Sequence, residues 1–143
     1  MLRGAALLAL RGSDVIVHAG DVGGSEILDR LGEVAPVVAV RGNVDTQPWA
    51  AALPATQILQ VDGTLLYVIH DLEKLDLDPV VAGFGVVISG HTHKPMEFER
   101  GGVLYINPGS AGPRRFSLPT TLARLRLGQK PCKAEFVACG DTG

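Results

Sequence analysis

The sequence predicts an α/β fold, two mixed β-sheets packed face to face with helices outside, on three observations. Four short aliphatic runs, "DVIVHAG" (14–20), "PVVAVRGN" (36–43), "LLYVIHD" (65–71) and "GVVISGH" (85–91), are continuous enough for strands buried on both faces of a sheet. Helix signals lie between the first and second runs and between the third and fourth, the order of parallel strands joined by right-handed crossovers. Three stretches, one of them overlapping the third run, carry hairpin signals, so antiparallel strands join the same sheets.

In chain order, "MLRGAALLALRG" (1–12) comes first. Its apolar run extends only from Gly4 to Leu10, and Arg11 comes next with no small-residue cleavage site, so a surface helix closed by Gly12 fits better than a signal peptide. After the first strand, "SEILDRLG" (25–32) reads as a short helix capped by Ser25 and ended by Gly32. "ATQILQVDGTLLYVIH" (55–70) reads as a hairpin turning at Asp62-Gly63. "DPVVAGFG" (78–85) has Asp78 as N-cap, Pro79 at the first helical position and Gly83 near the end. "MEFERGGVLYIN" (96–107) is a second hairpin around Gly101 and Gly102, and "TTLARLRLGQKPCKAEFVAC" (120–139) a third, turning near Gly128.

The 143 residues, 46% hydrophobic, suit one domain over 1–143 with a single core. A net charge of −2 with 20% charged residues gives no sign of a nucleic-acid or anionic-membrane surface and leaves only a local basic patch open. Cys132 and Cys139 lack metal-type spacing and are expected to be reduced packing residues. No stretch approaches the roughly 20 apolar residues of a membrane span, so a soluble, cytoplasmic protein is expected. A homo-oligomer stays open.

Chemistry-bearing residues stand at the strand ends. "VIV" leads to "HAGD", ending in Asp21, and "VVAV" leads to "RGN", ending in Asn43. "LLYVI" leads to His70, and "GVVISG" leads to His91 and His93. Ligand sites of open α/β sheets collect beyond the carboxyl ends of strands, so these five residues are expected to converge at one edge. Carboxylate, amide oxygen and imidazole together suit a divalent ion such as Mn²⁺, Fe²⁺ or Zn²⁺. Taken singly, Asp21 and Asn43 read as turn residues, and His70 as a satisfied polar side chain. It is their joint placement that favours a metal site. His18 is read as structural. In "YINPGSAGPRRF" (105–116), Asn107, Gly109, Ser110 and Gly112 make a tight loop. Arg114 or Arg115 there either pairs with phosphate or is a solvated turn residue.

"HAGD", "RGNVD", "SGHTHKP" and "NPGSAGPRR", in that order and spacing, resemble the calcineurin-like metallophosphoesterase superfamily, and within it the small bacterial and archaeal phosphodiesterases of the YfcE type. The resemblance covers about residues 2–137. It implies an αββα sandwich with a dinuclear metal centre, commonly Mn²⁺, with Fe²⁺, Zn²⁺ or Ni²⁺ as alternatives. It implies Asp21 as the carboxylate bridging both metals, Asn43, His70 and His91 completing one shell, and His93 in the other. Asp21 and Asn43 would be catalytic, with Asn43 and Arg114 on the substrate. The implied reaction is hydrolysis of small phosphodiesters by a metal-bound hydroxide between two ions about 3.5–4 Å apart.

Two positions depart from the family pattern. Val44 stands where many members have a histidine that protonates the leaving group, which suggests better turnover of esters with good leaving groups. No Asp-x-His motif precedes Asp21, so the chain is expected to lack the family's first strand and to bind one metal tightly and the other weakly or not at all. The alternative function is a catalytically impaired member of this fold serving as a binding or scaffold module. The missing motif favours that alternative, and the retained histidines oppose it.

Overall fold

The computed structural model describes residues 10–20, 25–42, 45–92, 94–109, 121–127 and 133–138. Most of the expected first helix, the turn near Gly128 and both cysteines lie outside these residues. Strand β1 (Ile16–His18) pairs in parallel with β2 (Val37–Ala39), Ile16 opposite Val37. Helix α1 (Ser25–Gly32) makes the crossover between them. It buries Leu31 and packs Ile27 with Ile16, Val34, Ala35 and Val37. Glu26 in its first turn and Arg30 in its last complement the helix dipole.

The larger sheet has the order β3-β4-β5-β7-β6. Its members are β3 (Thr56–Val61), β4 (Thr64–Ile69), β5 (Val86–Ile88), β6 (Met96–Arg100) and β7 (Val103–Asn107). β4, β5 and β7 run parallel, while β3 and β6 join antiparallel at the two edges. The β3–β4 hairpin turns where expected, with Asp62 at φ 50° and Gly63 at φ 79°, the paired positive angles that match the twist of the flanking strands. Asp78 caps α2 (Pro79–Ala82) by accepting from the Val80 and Val81 amides, and Gly83 closes it in the left-handed region.

β8 (Thr121–Arg126) and β9 (Lys133–Ala138) form an antiparallel ribbon. Alternation along the parallel strands sorts the core into two layers. Leu66, Val68, Val86, Ile88, Leu104 and Ile106 face Val17, Ala19 and Val40 from the first ribbon and Ala123, Leu125, Ala134 and Phe136 from the last. Tyr67, Ile69, Val87, Val103 and Tyr105 face the other way, under Leu72, Leu75, Leu77 and Phe84. The sheet is thus covered on one side by strands and on the other by helical turns, as the sandwich requires.

Two details differ from expectation. Among the described residues the second layer is two separate ribbons rather than one hydrogen-bonded sheet. Each ribbon is held to the large sheet by side-chain burial, which needs no ladder between them. Burial on both faces holds for β5 and β7 and for the second half of β4, whereas β1 and β2 are only half buried. Among the described residues, Ile16, which packs with α1, is buried, whereas Val17, facing the large sheet, is only partly so.

Candidate functional site

The parallel strands end early, and the ends are where the expected site residues lie. β1 stops at His18, β2 at Ala39, β4 at Ile69 and β5 at Ile88, each inside the aliphatic run read for it. Beyond the ends of β1 and β5 the backbone leaves the extended region, with Gly20 at φ 103° and His91 at φ 70°.

His70 continues the alternation of Leu66 and Val68, so its side chain enters the space between the layers and is only 5% exposed. Its Nδ1 lies 2.7 Å from the carbonyl oxygen of Ala19, just past β1. A carbonyl can only accept, so Nδ1 carries the proton and donates, leaving the lone pair of the neutral ring on Nε2. The backbone of His70 is tied to the end of β5 instead, the Gly90 amide donating to the His70 carbonyl at 2.9 Å.

Glycine is required at position 20 by contact as well as by its angle. A Cβ there would collide with His70 Nδ1, lie 2.9 Å from the same ring's Cγ and meet Gly42 Cα at 3.0 Å. The segments after β1 and β2 therefore approach each other at backbone distance, and the His70 ring packs directly against the first of them. Gly42, beyond β2, is held by Asp45, 4% exposed, whose Oδ2 accepts from the Gly42 amide at 2.9 Å. The Asp45 amide returns a bond to the Gly42 carbonyl at 3.3 Å. His18, read as structural, accepts from the Gly20 amide at 3.3 Å through Nδ1.

His91 sits in a three-residue turn closed by the Thr92 amide donating to the Gly90 carbonyl at 2.8 Å. With φ at 70°, this is a γ-turn of the sterically strained kind, an arrangement found where surroundings over-determine the backbone. Asn107, 1% exposed, supplies that constraint. Its Nδ2 donates to Gly90 O at 2.8 Å and to Thr92 Oγ1 at 3.0 Å, and its Oδ1 accepts from the Gly109 amide at 3.0 Å. The His91 ring meets that of His70 edge-on, with centroids 5.2 Å apart and planes at 81°. Its Nε2 lies 3.9 Å from Asp71 Oδ2.

Of the site residues expected from sequence, His70 and His91 are brought side by side. Asp21, Asn43, His93 and Arg114 lie outside the described residues, as does Val44. Among the described residues no three His, Cys, Asp or Glu side chains form a metal-holding group by themselves. The donor set still fits a divalent ion. Nδ1 of His70 is tied to a carbonyl that can only accept, which is how a metal-ligating histidine is oriented from behind.

Sequence reasoning misses three residues that shape the site. Asp71 carries no signal of its own beyond its place directly after His70. Asp45 stands three residues after Gly42, the spacing of a side chain that closes a turn. Asn107 is read both as the end of the 96–107 hairpin and as a loop residue; it is the last residue of a wholly buried strand, and its bond to Gly90 has no signal in the sequence.

Comparison with known proteins places these features in context. Residues 2–130 match the model of the calcineurin-like phosphoesterase superfamily domain. A protein of Methanocaldococcus jannaschii described as a probable metallophosphoesterase is 42% identical over 105 residues, 68% of this chain and 53% of that protein. Phosphodiesterase YfcE of Escherichia coli is 33% identical over 99 residues, 60% of this chain and 50% of that protein. The chain thus spans about half the length of these curated relatives. The crystal structure of wild-type Vps29 from Entamoeba histolytica, complexed with Zn²⁺, superposes with a TM-score of 0.74 at 22% identity, covering 98% of this chain and 91% of that one. That likeness establishes the shared architecture.

Proposed function

As the chain belongs to the calcineurin-like phosphoesterase superfamily, we propose that it is a metal-dependent phosphodiesterase acting on small phosphodiesters. The observation that carries the reading is His70, a buried imidazole with its Nδ1 proton given to Ala19 and its ring edge-on to His91. We assign Asp21, Asn43, His70, His91 and His93 as the residues that would hold the metal, with Mn²⁺ as the preferred ion. Arg114 is assigned to the substrate phosphate. When bound, divalent ions supply Lewis-acid polarisation of phosphoryl oxygens and lower the pKa of water.

The chain's own contribution is orientation. Ala19 fixes the tautomer of His70, and Asn107 with Thr92 fixes the turn that presents His91. Val44 carries no proton for a departing alkoxide, so the reading assigns esters with acidic leaving groups as the better substrates. Retention of a fixed-tautomer imidazole beside a strained histidine favours an enzyme over a scaffold module, because a packing role would require neither.

The test is Mn²⁺ stoichiometry on metal-stripped protein, then hydrolysis of an aryl phosphodiester. Mn²⁺ should restore an activity that chelation abolishes, and Asp21→Ala should remove it. Hydrolysis that persists in chelator, or in Asp21→Ala, would overturn the reading.

A further inference from the structure

We propose that Asp71 is a positioning residue of this centre: its carboxylate faces Nε2 of His91, keeps the imidazole proton on that nitrogen, and leaves Nδ1 as the nitrogen offered to a metal ion. The inference rests on the metal-centre reading above and concerns how one of its members is presented.

Both partners are held from behind. Asp71 Oδ1 accepts from the Glu73 amide at 3.1 Å as the N-cap of the 3₁₀ turn Leu72–Lys74, which fixes the carboxylate and turns Oδ2 toward His91. His91 is fixed by its γ-turn and by the Asn107 and Thr92 bonds on either side. The 3.9 Å separation of Asp71 Oδ2 from His91 Nε2 exceeds a direct hydrogen bond. The coupling is therefore electrostatic or through one water, and a carboxylate can only accept, so either route favours N–H at Nε2. The Asp71 side chain is 15% exposed against 40% for His91, so the field at the ring edge is screened less than between two open side chains.

The consequence is a pair of histidines presenting different nitrogens. His70 gives its Nδ1–H to Ala19 and retains the lone pair at Nε2, whereas His91 would retain it at Nδ1. A carboxylate behind a ligating imidazole fixes its orientation and raises its basicity. The residue immediately after His70 does this while also capping the turn that leaves the site.

The experiment compares wild type, Asp71→Asn and Asp71→Ala as full chains. In Asp71→Asn the amide oxygen still caps the Glu73 amide, while the NH₂ group faces His91 and now favours the lone pair at Nε2. On metal-stripped, ¹⁵N-histidine-labelled protein, long-range ¹H–¹⁵N correlation reads which ring nitrogen of each histidine carries the proton. Wild-type His91 should be Nε2–H, and Asp71→Asn should be Nδ1–H with thermal stability unchanged. Mn²⁺ affinity by calorimetry should fall about ten- to a hundredfold in Asp71→Asn. Asp71→Ala loses the cap as well, so any effect of capping alone appears there and not in Asp71→Asn. The same tautomer in wild type and Asp71→Asn, or an undiminished Mn²⁺ affinity in Asp71→Asn, would overturn the proposal. Failure of the wild type to bind metal would overturn the metal-centre reading instead, while the tautomer comparison would still decide what Asp71 does to His91.

Discussion

Nδ2 of Asn107 donates to the carbonyl of Gly90 at 2.8 Å, joining the end of β7 to the turn that carries His91. The same NH₂ reaches Thr92 Oγ1, and Oδ1 takes the Gly109 amide, so one buried amide braces both sides of a strained histidine. Removing it leaves the Gly90 carbonyl and the Gly109 amide without those partners. Asn107→Ala should therefore destabilise the protein by roughly 1–3 kcal/mol, read by urea unfolding, and weaken Mn²⁺ binding with it. Unchanged stability would mean that water replaces the amide.

His91 itself offers a separate test of stored strain. Its φ of 70° is costly for any residue with a Cβ, so alanine keeps the strain and glycine relieves it. His91→Gly should be more stable than His91→Ala by about 1 kcal/mol, against the usual order for an extended or helical position. Both should lose metal affinity. Equal stabilities would show that the turn relaxes once the imidazole is gone.

These relationships mark what can be seen in the sequence. The aliphatic runs place β1, β2, β4 and β5, and alternation from Leu66 and Val68 already aims His70 between the layers. The hairpin at Asp62-Gly63 is legible because its turn chemistry is local. Strand ends read too long, because the residues after Ile88 are small enough to continue a strand while Asn107 bends them into a turn. Asp71 facing His91 and Asn107 facing Gly90 are non-local contacts, and no periodicity in the chain records which distant backbone a buried amide will meet. Division of the second layer into two ribbons among the described residues depends on pairings that apolar content alone does not specify.

At Gly20 the packing leaves no room for a methyl group. A Cβ would meet the ring of His70 and the backbone of Gly42, and φ of 103° adds conformational cost. Gly20→Ala should destabilise by roughly 1–3 kcal/mol from strain alone. The His70 ring must also move off Ala19, so its Nδ1–H resonance should lose the shift of a hydrogen-bonded proton. A substituted protein with wild-type stability and that resonance in place would show the strand ends to be further apart than described.

Asp45 tests whether the segment after β2 is organised before any ligand arrives. It is 4% exposed and accepts from the Gly42 amide at 2.9 Å, while its own amide returns a bond to the Gly42 carbonyl, so Asp45 and Gly42 hold each other by two bonds. A buried carboxylate is tolerated only when bonded, and asparagine retains an acceptor oxygen for the Gly42 amide where alanine has none. Asp45→Asn should keep most of the stability, whereas Asp45→Ala should lose about 1–3 kcal/mol by urea unfolding. If Asn43 is a ligand, Mn²⁺ affinity should run in the same order, wild type above Asp45→Asn above Asp45→Ala. Stability that falls while metal affinity stays constant would separate the loop from the metal and assign Asn43 to the substrate alone.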